Sequence, residues 1–137
     1  MQPELGRQIE VKAWLTRVSR DLRAADNAMT AVPSLYDAVV FHSQQAAEKA
    51  LKAFLTWHDA EFRRTHDLAQ IGLQCVQIDP TLEDTCRRAD NLSVFAWLYR
   101  YPGDEEEPPL EVAEEALVMA REVFEAVLAR IPPEAHP

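Results

Sequence analysis

Glycine is almost missing from this chain: three occur in 137 residues. A Gly-rich loop for cradling phosphates is therefore absent. With glycine so rare and Ala, Leu, Glu and Arg so frequent, the composition points to an all-α chain. Cysteine is scarcer still. Cys75 and Cys86 are too few and too widely spaced for a zinc knuckle or a redox pair. Buried free thiols are the expectation, which suits a reducing, cytoplasmic compartment. No stretch approaches the ~20 apolar residues of a membrane span. The N-terminus lacks the apolar run of a signal peptide. The nucleophile elbow and the His-Glu metalloprotease pattern are missing, as are the Glu-x-x-His pairs of di-iron bundles. No metal or cofactor is expected.

Positive charge is also short. The formal net charge is −9, and it is unevenly placed: ten of the 23 acids but two of the 14 bases follow residue 103. An acidic chain is poorly suited to broad, nonspecific nucleic-acid binding. A local basic site in the first 103 residues stays open. The length suits a single domain with a real core.

What is there is helical periodicity. Val11, Leu15, Val18, Leu22, Ala25 and Met29 recur at four-and-three spacing and predict a first helix over residues 3–29. Its arginines and acids alternate, as on a solvated face with helix ion pairs. A second helix is expected from Pro33 or Ser34 to about His58. At about 100° per residue, Tyr36, Val40, Ala47, Leu51, Phe54 and Leu55 form one stripe, with Gln44 in its middle. Val39, Ala46, Ala50, Ala53 and Trp57 flank it, and most are small enough for close helix approach. Gln45, Lys49, Lys52 and Thr56 form a polar face. A helix apolar on two sides belongs at the centre of a bundle.

Thr65 or Asp67 can cap a short third helix running to about Val76. Asp79-Pro80-Thr81 is a strong helix start, opening a fourth helix to about Arg100, where Pro102 and Gly103 stop it. Gly103 to Pro109 read as an acidic loop whose charge favours the start of the following helix. The last helix runs from about Leu110 to Ile131. Pro132-Pro133 end it, and a flexible tail is expected after that point. The fold class is thus an all-α, up-and-down bundle of four to five helices.

Four places carry chemistry. Gln44, Gln45, Glu48, Lys49 and Lys52 share the central helix; Glu48 and Lys52 make an i,i+4 pair worth about 0.3–0.5 kcal/mol. They form either a register-locking polar network or part of a site. His66 beside Asp67 is either a capping residue or an acid–base group. Arg100, followed by Tyr101, either neutralises a helix C-terminus or holds a phosphate. The doublets Arg63-Arg64 and Arg87-Arg88 are surface charges or contacts to an anionic partner.

Three stretches in this order, His42-Ser43-Gln44-Gln45-Ala46-Ala47-Glu48-Lys49-Ala50-Leu51-Lys52-Ala53, then Thr65-His66-Asp67-Leu68, then Arg100-Tyr101-Pro102, resemble the HEPN domain family. The likeness spans about residues 10 to 130. It implies a four- or five-helix bundle, often a homodimer, with a link to nucleotides or RNA. It also implies a minimal nucleotidyltransferase as a neighbouring partner, often in a toxin–antitoxin pair. Many such domains are metal-independent ribonucleases whose motif is an Arg, four to six intervening residues, then a His. Arg100 occupies the Arg position; Glu105-Glu106-Glu107 stand where the His would fall. The resemblance therefore implies a nucleotide- or RNA-binding module, noncatalytic or weakly active, that holds a phosphate through Arg100 with Lys49, Lys52, His66 and Tyr101 nearby. The competing expectations are an endoribonuclease using Arg100 and His66, and a structural dimer or adaptor that binds no nucleotide.

Overall fold

The second helix is the one the others gather around. The computed structural model describes residues 3–62, 64–103 and 107–137. Among the described residues there are five α-helices and no strand: α1 (Pro3–Met29), α2 (Tyr36–Trp57), α3 (Leu68–Ile78), α4 (Glu83–Ala89) and α5 (Leu110–Leu128). Helix α2 packs against α1, α3 and α5. Its apolar stripe is buried from Val40 to Leu55, as are Val39, Ala46, Ala50 and Ala53 on the flank, and Tyr36 is half-buried. The alanines let neighbouring backbones approach, while Leu51, Phe54 and Leu55 supply volume, each worth about 1.5–3 kcal/mol of transfer free energy.

Helix α1 buries the expected Val11, Leu15, Val18, Leu22 and Ala25 against α2. Its charged face differs from expectation: no ion pair joins two described residues of α1. Asp26 instead pairs with Arg121 of α5, and Asp21 turns inward. The polar face expected on α2 is mostly covered too. Lys52 and Thr56 are buried, and Gln45 and Lys49 are half-buried, because their polar ends find partners inside the bundle.

The fourth expected helix is broken in three. A 3₁₀ turn covers Pro80–Leu82, α4 follows, and a 3₁₀ helix covers Asp90–Ala96. The tighter winding brings the Ser93 hydroxyl to the backbone N–H of Leu68, 2.9 Å away, at the first turn of α3. Ser93 in turn donates to Asp90 at 3.1 Å. The segment then reverses through Tyr99, whose φ of 67° is unusual for a residue with a side chain. Gly72 lets α3 lie close to α4: a Cβ there would sit 3.0 Å from Cys86 Cβ. Cys75 and Cys86 are free, buried thiols.

Two loop features also depart from expectation. Glu107 of the acidic loop serves the start of α2. Glu107 accepts hydrogen bonds from the Ser34 hydroxyl at 2.5 Å and from the Tyr36 backbone N–H at 3.3 Å. Asp104, Glu105 and Glu106 lie outside the described residues. The chain after α5 is packed rather than loose: Pro133–Ala135 form a 3₁₀ turn, Ala135 is buried, and the His136 ring bonds the Ile131 carbonyl at 2.8 Å.

Candidate functional site

Helix α2 carries the same small assembly twice: a shielded carboxylate with a lysine on one oxygen and a histidine on the other. In the first, Glu48 is 3% exposed. Its Oε2 accepts from Lys52 Nζ at 3.0 Å, and Oε1 lies 2.7 Å from His66 Nδ1. Gln44, fully buried, donates to Glu48 Oε1 at 3.0 Å. Its own carbonyl accepts from Gln45 at 2.7 Å. The rings of Trp14 and Phe62 lie 5.9 and 5.5 Å from the Lys52 ammonium, within cation–π range. A buried ammonium and carboxylate in contact offset each other's loss of solvent, and the amides take up the remaining hydrogen-bonding capacity.

In the second assembly the carboxylate is Asp21 of α1. Lys49 Nζ lies 2.6 Å from Oδ2 and His42 Nδ1 lies 2.9 Å from Oδ1. Burial alone would raise the Asp21 pKa. The hydrogen bonds from His42 and Lys49 outweigh it and hold the carboxyl below its ordinary value. With Nδ1 occupied, His42 has only Nε2 left to offer.

His42 borders a cavity of about 200 Å³ shared with Asp37, Ala38, Phe41, Tyr99 and Arg100. The Arg100 guanidinium lies on the Phe41 ring, 3.7 Å from its centroid. Stacking fixes the plane of the guanidinium and leaves its N–H edges unpaired; Arg100 has no ion pair among the described residues. The strained backbone of Tyr99 sets where Arg100 leaves the chain. Such strain gathers at functional sites. A larger cavity of about 500 Å³ lies between the start of α1 and the end of α2. It suits an anion less well. Glu10, Asp59 and Glu61 line it, and Arg7 in its wall is held by the Trp57 carbonyl and ring.

The residues singled out from sequence therefore separate. Arg100 lines the cavity; Tyr101 beside it is exposed and is not part of the wall. Lys49 reaches the cavity only through Asp21 and His42. Lys52, Gln44, Gln45 and Glu48 belong to the other assembly, and so does His66. From Phe41 to Glu48 is two turns of α2, about 10 Å along its axis, so His66 and Arg100 do not share one pocket. His66 caps nothing; Asp67 does, accepting from the Ala69 N–H at 3.0 Å. Arg87 and Arg88 are paired with Asp84 and Glu122, Arg64 is exposed, and Arg63 lies outside the described residues. Among the described residues no cluster of His, Cys, Asp or Glu could hold a metal ion, and no helix is long and apolar enough to cross a membrane.

His42, Phe41, Asp37 and Asp21 are the members that sequence reasoning passed over. A signal existed. Asp21 sits three residues after Val18 and four before Ala25, an acid beside the buried stripe of α1. His42 and Lys49 are seven apart, one face of α2, and together they answer it.

An all-α bundle built on this central helix, with this ordered set of polar residues, defines a family. The HEPN domain model matches residues 11–131, and the chain belongs to the HEPN domain family. The crystal structure of an archaeal HEPN homologue is similar to it, with a TM-score of 0.72 and 26% identity, covering 89% of this chain and 98% of the other. No curated protein matches the chain.

Proposed function

We propose that this HEPN domain is a nucleotide- or RNA-binding module in which Arg100 receives a phosphate. The observation that carries the reading is the Arg100 guanidinium, stacked on Phe41 and without an ion pair among the described residues, in a cavity it shares with His42. A guanidinium so held has its N–H fork free for phosphate oxygens. The cavity, at about 200 Å³, is smaller than the ~300–1,000 Å³ of sites that enclose a drug-sized ligand. It suits a phosphate and part of its sugar, with the base outside. His42 replaces His66, Lys49 and Lys52 as the helper of Arg100. The module is noncatalytic or weakly active, works as a homodimer, and pairs with a nucleotidyltransferase in a toxin–antitoxin-like arrangement.

Calorimetric titration with AMP and with a short single-stranded RNA tests this. Wild type binds, and Arg100→Ala abolishes binding without unfolding the bundle. Absence of heat with both probes would favour a structural dimer or adaptor. A second reading, a metal-independent endoribonuclease, draws on His42. Its Nδ1 is held by Asp21, which orients Nε2 as a proton acceptor for a ribose 2′-hydroxyl. Single-stranded RNA left intact by the purified protein in chelator sinks that reading.

A further inference from the structure

Arg100 is not the only unpaired charge in its cavity. Asp37 lines it as well, half-buried in the first turn of α2. Asp37 and Arg100 form no ion pair with each other or with any other described residue. Two opposite charges bordering one small cavity would ordinarily pair if the backbone allowed it. Here Phe41 holds the guanidinium flat against its ring. The first turn of a helix favours the carboxylate electrostatically and leaves its oxygens unused as acceptors. The cavity therefore offers donors on one side and a pure acceptor on another.

A bare phosphate satisfies only the donors, and the carboxylate would repel it. A molecule that answers both sides carries an anion and, a few bonds away, hydroxyl donors. We propose that the cavity selects a phosphorylated ribose: phosphate on Arg100 and His42, sugar hydroxyls donating to Asp37. An ionised carboxylate only accepts hydrogen bonds. An acidic residue that accepts from a ribose hydroxyl is a recurrent way of reading that sugar. Asp37 is then the group that distinguishes ribose from deoxyribose, and the Asp21–Lys49 pair is the positioning element that keeps His42 turned to the phosphate. This inference rests on the phosphate reading of Arg100.

The test uses the full chain and isothermal calorimetry with AMP, its 2′-deoxy counterpart, inorganic phosphate and a short 5′-phosphorylated RNA. AMP is expected to bind roughly tenfold tighter than the deoxy form, the scale of one hydrogen bond to a charged group. Asp37→Asn should bring that ratio close to one while inorganic phosphate still binds. Circular dichroism checks that the variant keeps its helices. Comparing AMP with the RNA tells a free nucleotide from an RNA end, since both present the same sugar and phosphate. Equal affinity for AMP and its deoxy form in the wild type, or a ribose preference that survives Asp37→Asn, overturns the proposal and leaves phosphate binding standing. Failure of every phosphate-bearing probe to bind the wild type removes the phosphate reading, and this one with it.

Discussion

Two sets of charges sit two turns apart on α2, and they are built on opposite terms. Around Glu48 everything is satisfied: Lys52 and His66 take its oxygens, and Gln44 and Gln45 complete the hydrogen bonding. Around Arg100 the charges are left open among the described residues, with Phe41 as a support and Asp37 without an ion pair. A saturated polar cluster inside a bundle gains nothing from a ligand and loses much from any disturbance. An open one costs little when altered and has hydrogen bonds to give. The Asp21 assembly joins the two kinds, since its carboxylate is saturated while His42 faces the cavity.

The comparison can be broken by stability measurements in urea. Glu48→Ala should have the largest effect, about 3–5 kcal/mol, because Lys52 is left as a buried charge without its partner. Replacing both members, Glu48→Leu with Lys52→Met, should cost less than the single change; a double variant weaker than the single would contradict the saturated reading. Asp21→Asn should cost about 2 kcal/mol, removing a carboxylate bonded by the Lys49 ammonium and the His42 ring. This loss has a pH signature. Because the folded Asp21 pKa lies below its ordinary value, the stabilisation is complete above the unfolded aspartate range. It fades as pH falls through the lower folded value. The gap between wild type and Asp21→Asn should therefore narrow on acidification below about pH 4.

Smaller effects sharpen the other side. Glu107→Ala removes the acceptor at the start of α2 and should cost about 1 kcal/mol. Arg100→Ala should cost less than about 1 kcal/mol, the scale of an exposed cation–π contact, while binding is lost. A large destabilisation by Arg100→Ala would make Arg100 a structural residue and erase the contrast.

Much of this architecture is legible in the sequence where one helix face repeats. The stripes of α1 and α2 and the central place of α2 follow from spacing alone. Gln44 in the middle of an apolar stripe announces a buried amide that must be bonded. The break in the fourth helix is different in kind. It depends on Ser93 serving the start of α3, a contact between segments 25 residues apart, which local propensity cannot see. The site fails to show for the same reason. Arg100 is visible as a residue, but its companions are chosen by packing: Phe41 by its ring under the Arg100 guanidinium, and His42 by Asp21 from another helix. His66 looks equivalent to His42 in sequence, yet its partner, Glu48, commits it elsewhere.

The stacking of Arg100 on Phe41 has a consequence for how binding would respond to salt. Each phosphate neutralised on a single strand adds about −0.7 to the slope of log affinity against log salt. A site that holds one phosphate, with one stacked guanidinium, therefore caps that slope at about −0.7. A molecule of formal charge −9 also repels an anion at long range, and added salt screens that repulsion. The two effects oppose each other, so affinity should change little with ionic strength. The selectivity of such a site would then come from shape and hydrogen-bond geometry rather than from accumulated charge.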